Sequence, residues 1–96
     1  MNARIECTDG GAVIQGDMTL ANASALLAAG VNALKQGTTR FDLSGVGAID
    51  SSGLAVLFGW LRSARAEGRT VTIANPPPSL KSLAEVYGVA ELLPLA

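Results

Sequence analysis

The run Phe41-Asp42-Leu43-Ser44-Gly45-Val46-Gly47-Ala48-Ile49-Asp50-Ser51-Ser52-Gly53-Leu54 carries the chain from an apolar strand, through a small-residue loop, directly into an apolar helix. A strand that feeds a helix and then the next strand, Val71-Thr72-Ile73-Ala74, implies a crossover in a parallel part of a sheet. The start of that helix leaves backbone N–H groups unpaired, and Asp50, Ser51 and Ser52 are residue types that satisfy them. Two uses follow for these side chains: a structural cap, or a switch whose charge changes on phosphorylation.

The remaining elements fall on either side. Arg4-Ile5-Glu6-Cys7 alternates like a half-buried strand, with Cys7 expected as a small core hydrophobe. Asp9-Gly10-Gly11 is a turn signal and Ala12–Gln15 a second short strand, so the chain opens with a hairpin. Leu20, Ala23, Leu27, Val31 and Leu34 recur at helical spacing as one apolar face. Gly30 lies on that face, where a strand can approach closely, and Gly37 ends the helix. The second helix runs from about Ser51 to Ala66 and stops at Gly68. Pro76-Pro77-Pro78 suits the entry to a short third helix, with Leu80, Leu83, Ala84 and Tyr87 as its buried stripe and Gly88 as its end. The tail packs through Leu92 and Leu93. The order β-β-α-β-α-β-α, with no repeat or linker, predicts one α/β domain over residues 1–96 with a mixed sheet.

On the second helix, Leu54, Leu57, Phe58 and Leu61 share the face expected to meet the sheet. Ser52, Val56, Gly59 and Ser63 fall opposite, with Trp60 at the flank. That outer side is nearly free of charge from Ser51 to Leu61, and an aromatic residue among small ones is an interface composition. Val56, Gly59, Trp60 and Ser63 are therefore the expected partner-binding residues, the alternative being that Trp60 tucks over the sheet edge and Gly59 is incidental. Only 16% of the chain is charged, against roughly 25% in an average soluble domain, which also favours a docking face.

Several chemistries are excluded. There is no histidine to act as a general base beside Ser51 or Ser52, and no nucleophile-elbow glycine pattern surrounds them. Lys35 and Lys81 lie in helices without an evident serine partner. Gly45-Val46-Gly47 leads to Ala48-Ile49-Asp50, not to a phosphate-loop lysine, and a dinucleotide fingerprint lacks its third glycine. Asp17, Asp42 and Asp50 can meet at one sheet end, but without histidine or a dense carboxylate loop no metal is expected. No cofactor is expected either. The formal charge of -1 provides no basic field for nucleic acid or anionic lipid. Cys7 is the only cysteine, in keeping with a cytosolic protein. The N-terminus lacks the regions of a signal peptide. The uncharged stretch from Met18 to Leu34 is broken by Thr19, Asn22, Ser24, Gly30 and Asn32, so direct membrane insertion is not expected.

Asp42-Leu43-Ser44 followed by Asp50-Ser51-Ser52-Gly53-Leu54 resembles the STAS domain family, and the resemblance covers nearly the whole chain. It implies four or five mixed strands with helices packed mainly on one side, and a non-enzymatic role in protein interaction. Two subfamilies share the pattern. In anti-sigma factor antagonists a partner kinase phosphorylates the second hydroxyl of the motif, which corresponds to Ser52. In the MlaB-like subunits of phospholipid transporters, which help maintain outer-membrane lipid asymmetry, the first hydroxyl is implicated, corresponding to Ser51. Ser82-Leu83-Ala84-Glu85-Val86-Tyr87-Gly88 and Leu92-Leu93-Pro94 look more like the second subfamily. It implies docking on a cytoplasmic ABC transporter ATPase and, through it, on a membrane permease. The chain departs from the transporter pattern at Ser52, and from both patterns at Pro76-Pro77-Pro78.

Overall fold

The computed structural model describes residues 3–95. Met1, Asn2 and Ala96 of the expected domain lie outside the described residues. The elements are β1 (Arg4–Thr8), β2 (Gly11–Met18), α1 (Leu20–Lys35), β3 (Arg40–Ile49), α2 (Ser51–Ala66), β4 (Thr72–Ala74), α3 (Pro78–Val86) and a final 3-10 turn at Ala90–Leu92. The four strands lie side by side in chain order. β1 pairs antiparallel with β2, and β2–β3 and β3–β4 are parallel, so the mixed sheet is as expected. Among the described residues a fifth strand does not develop. Leu95 makes one parallel bridge with Ile73, where the Ile73 N–H donates to the Pro94 carbonyl at 2.9 Å. Pro94 has no N–H with which to continue a ladder.

Strand alternation sorts the sheet into two faces. Ala12, Ile14, Phe41, Leu43 and Ile73 are buried on one of them. Register places Ile5 beside Ile14, and Ala12, Phe41 and Ile73 in one row. Arg4, Glu6, Val13, Gln15, Arg40 and Asp42 occupy the other face and are exposed or half-buried. The helices thus cover a single side, giving a two-layer α/β domain. β1 is the outer strand and only its Ile5 is half-buried. Cys7 is consequently exposed and not the core residue that alternation suggests.

β3 runs on to Ile49, through the segment expected as a loop. Two register shifts against β2 accommodate its extra residues. Glycine is required at position 45 by close approach to the β2 backbone. A Cβ on Gly45 would lie 2.7 Å from the Ile14 carbonyl oxygen, and one on Gly47 would lie 2.7 Å from Asp17 Oδ1.

α1 is rotated from its expected phase. Leu26, Gly30, Ala33 and Leu34 are its buried residues, while Leu20 is 76% exposed and Leu27 is also exposed. The helix is apolar nearly all round, so leucine spacing alone does not select the inward face. Its packing against α2 makes the selection. The Trp60 indole lies over Gly30, where a Cβ would come within 2.0 Å of Nε1. Gly30 therefore admits an aromatic ring from α2 and not a strand. Trp60 stacks on Phe41 at 4.5 Å between centroids, and its Nε1–H donates to the carbonyls of Leu26 at 3.1 Å and Leu27 at 3.2 Å.

This packing corrects the expected docking face. Val56, Gly59 and Trp60 are buried and Ser63 is half-buried. A Cβ on Gly59 would meet Leu27 Cδ1 at 2.7 Å, so its small size lets the two helices close together. In α3, Leu80 and Ala84 are buried as expected, but Tyr87 is 57% exposed. Leu93 is buried while Leu92 is 64% exposed. Gly37, Gly68 and Gly88 each follow a helix with positive φ, as helix stops do.

Candidate functional site

The end of β2, the start of α1, the end of β3 and the start of α2 meet at one corner, organised by Asp50. Its Oδ1 accepts from the N–H groups of Ser52 at 2.9 Å and Gly53 at 3.1 Å. Its Oδ2 accepts from the Leu20 N–H, the first of α1, at 3.1 Å. Thr19, the N-cap residue of α1, makes no side-chain cap of its own. One carboxylate therefore caps two helices, where negative charge also suits both dipoles. The Asp50 N–H donates to the Met18 carbonyl at 3.2 Å, tying the loop to β2. Asp17 holds the other side of the corner. Its Oδ1 accepts from the Ala48 N–H at 2.9 Å, and its carbonyl accepts from Asn22 Nδ2 at 2.8 Å.

The capping role leaves the serines available. Ser51 is exposed and Ser52 half-buried. Neither hydroxyl makes a hydrogen bond among the described residues, so of the two uses open to these side chains the structural cap falls to Asp50 and not to either serine. Asp50 does that work with both oxygens engaged by backbone donors, which leaves it poorly placed as a general base. An Asp50→Ala variant should lose about 2 kcal/mol, at the upper end of a single cap, because two helix starts are released together. Urea denaturation of the purified variant measures this.

The three aspartates do not converge. Asp42 sits on the uncovered sheet face and accepts from the Ser44 N–H at 2.9 Å and from Asn75 Nδ2 at 3.1 Å. The Ser44 backbone N–H, and then the Asn75 amide, hold its carboxyl below the usual carboxylate range. No cluster of three metal-ligating side chains forms among the described residues.

An apolar groove begins at the exposed serine. Ser51, Leu54, Ala55, Phe58, Tyr87 and Val89 line its first part. Phe58 and Val89 are shared with the next part, which adds Leu61, Arg62, Arg65 and Leu92. The groove follows α2 along its flank against α3 and the 3-10 turn. These residues were not the ones expected from the charge-free side of the helix. A signal for them does exist in the sequence. Arg62 and Arg65 are the only charges in α2, and stepping back from them at helical spacing reaches Phe58, Ala55 and Ser51.

The chain is similar to known proteins over nearly its full length. A family model described as "Mlab, STAS domain" matches residues 6–94. No curated protein matches the chain. Among solved structures, a candidate anti-sigma factor antagonist from Thermotoga maritima aligns with TM-score 0.75 at 17% identity, covering 97% of this chain and 84% of that one. An anti-sigma factor antagonist from Mycobacterium paratuberculosis aligns with TM-score 0.69 at 21% identity, covering 97% and 82%. The Bacillus cell fate determinant SpoIIAA in its phosphorylated form aligns with TM-score 0.67 at 22% identity, covering 98% and 90%. At these identities the structural likeness speaks for the fold.

Proposed function

The chain belongs to the STAS domain family, matching its MlaB-type model, and from that premise we propose that it is a non-catalytic interaction subunit of an ABC-type phospholipid transporter. In this reading it sits at the cytoplasmic side of the inner membrane. It docks on the transporter ATPase and through it joins the permease, in a system that maintains outer-membrane lipid asymmetry. No helix among the described residues is long and apolar enough to cross a membrane, so attachment to the permease runs through protein contacts. The observation that carries the reading is the division of labour at the α2 start. Among the described residues Asp50 alone caps the helix, and exposed Ser51 makes no hydrogen bond at the mouth of an apolar groove. The docking surface is therefore the Ser51 end of α2 together with Tyr87 and Val89.

The second reading is an anti-sigma factor antagonist controlled by a partner kinase at Ser52. The antagonists among the structural neighbours share this fold and are compatible with that reading. Phosphate on Ser52 would add roughly -1.5 to -2 charge beside Asp50. The exposure of Ser51, with Ser52 half-buried, favours the transporter reading. Affinity purification of the tagged protein from native membranes tests the choice. The ATPase and permease should co-purify, and a Ser51→Arg variant should lose both. Recovery of an anti-sigma factor kinase without either transporter protein would reject the transporter role.

A further inference from the structure

We infer that the α2–α3 groove receives an acidic amphipathic helix of the partner, with its apolar side on Phe58, Leu61, Val89 and Leu92 and its carboxylates on Arg62 and Arg65. The inference rests on the reading of this face as the docking surface and specifies the chemistry of what docks there. Leu92 and Tyr87 are two large apolar side chains held out in solvent on one wall of the groove, and Val86 beside them is 80% exposed. Such a row of exposed apolar groups marks an interaction surface.

The charges along the groove have one sign. Arg62 and Arg65 are exposed, and among the described residues no acidic side chain lines either part of the groove. Neither arginine makes a hydrogen bond or ion pair among the described residues. The ion pair seen there, Arg4–Glu6, lies on the outer strand of the sheet. Arg69, one turn beyond α2, differs because its guanidinium donates to the Leu34 carbonyl. Within the groove, Arg62 and Arg65 are thus the forked donors left to bind carboxylates.

Secondary structure of the ligand follows from what the groove lacks. Its walls are α2, Tyr87 at the end of α3, and the 3-10 turn with Val89 before it, and among the described residues no strand lines it to pair with an extended peptide. A segment that buries its backbone against this groove satisfies its own hydrogen bonds, as a helix does. The 16 residues of α2 span about 24 Å, a length that accommodates a partner helix of roughly four turns.

The probe is a synthetic peptide of roughly four helical turns, with leucines on one face and glutamates on the other, titrated into the 15N-labelled full chain. A peptide with lysine in place of each glutamate is the control. The glutamate peptide should shift the amides of Phe58, Leu61, Val89 and Leu92. Its affinity should fall with added salt and drop at least about tenfold in the Arg62→Glu/Arg65→Glu double variant. The lysine peptide should bind that variant better than it binds the wild type. Both substitutions are at exposed positions, and circular dichroism checks that the variant is folded. The idea is overturned if the glutamate peptide does not bind, if its shifts map elsewhere, or if the two peptides bind alike. Phosphatidylglycerol vesicles shifting these amides while the peptide does not would overturn it as well. The ATPase is absent from this assay, so the two proposals fail separately. A failed co-purification with a positive titration rejects the transporter role, and the reverse outcome rejects the acidic helix.

Discussion

Replacing Trp60 with alanine is expected to lower stability by about 3–5 kcal/mol, the cost of emptying a large aromatic site in a packed core. Trp60 is 1% exposed. The variant also loses the stack on Phe41 and leaves the Leu26 and Leu27 carbonyls without their indole donor. A domain of this size has about 5–15 kcal/mol in total, so a large part of its stability rests on one side chain. The measurement is urea denaturation followed by circular dichroism. A docking residue on an exposed face would behave otherwise, with nearly full stability and lost binding. A loss below about 1 kcal/mol, the range of a surface substitution, would return Trp60 to the surface.

A Gly53→Ala variant should be destabilised by about 3 kcal/mol, at the upper end of overpacking costs. The added Cβ would lie 2.1 Å from the Met18 carbonyl oxygen and 2.8 Å from Ile49 Cγ1. The first of these atoms is strand backbone, which cannot swing aside as a side chain end does. Alanine is the better helix former by about 1 kcal/mol, which is too little to offset the clash. Relief requires the first turn of α2 to move away from β2, and the Gly53 N–H bond to Asp50 moves with it. Partner binding should therefore fall further than the loss of folded protein explains. Denaturation and binding measured on the same preparation separate the two effects. Unchanged stability would mean that the α2 start is not packed on β2 as described.

Local chemistry was the legible part of this chain. Glycines at the ends of helices, the hairpin turn and Asp50 as a cap are each decided by a few neighbouring residues, and the sequence announces them. The rotation of α1 was not legible, because alanine and leucine occur on all its sides and only the Trp60 ring, reached across 30 residues of chain, selects Gly30. The same long-range contact turned Val56, Gly59 and Trp60 inward. Gly45 and Gly47 look like loop residues until β2 is placed beside them. Arg62 and Arg65 were visible throughout, and the helical phase they define was the better guide to the solvent side of α2 than the absence of charge.

Photo-crosslinking in living cells tests the docking account most directly. A benzoylphenylalanine at Ala55, exposed in the groove beside Ser51, is compared with one at Glu6 on the uncovered sheet face. The account predicts an adduct with the transporter ATPase from position 55 and none from position 6. An ATPase adduct from position 6 alone, or an adduct from position 55 with an anti-sigma factor kinase instead of the ATPase, would contradict it.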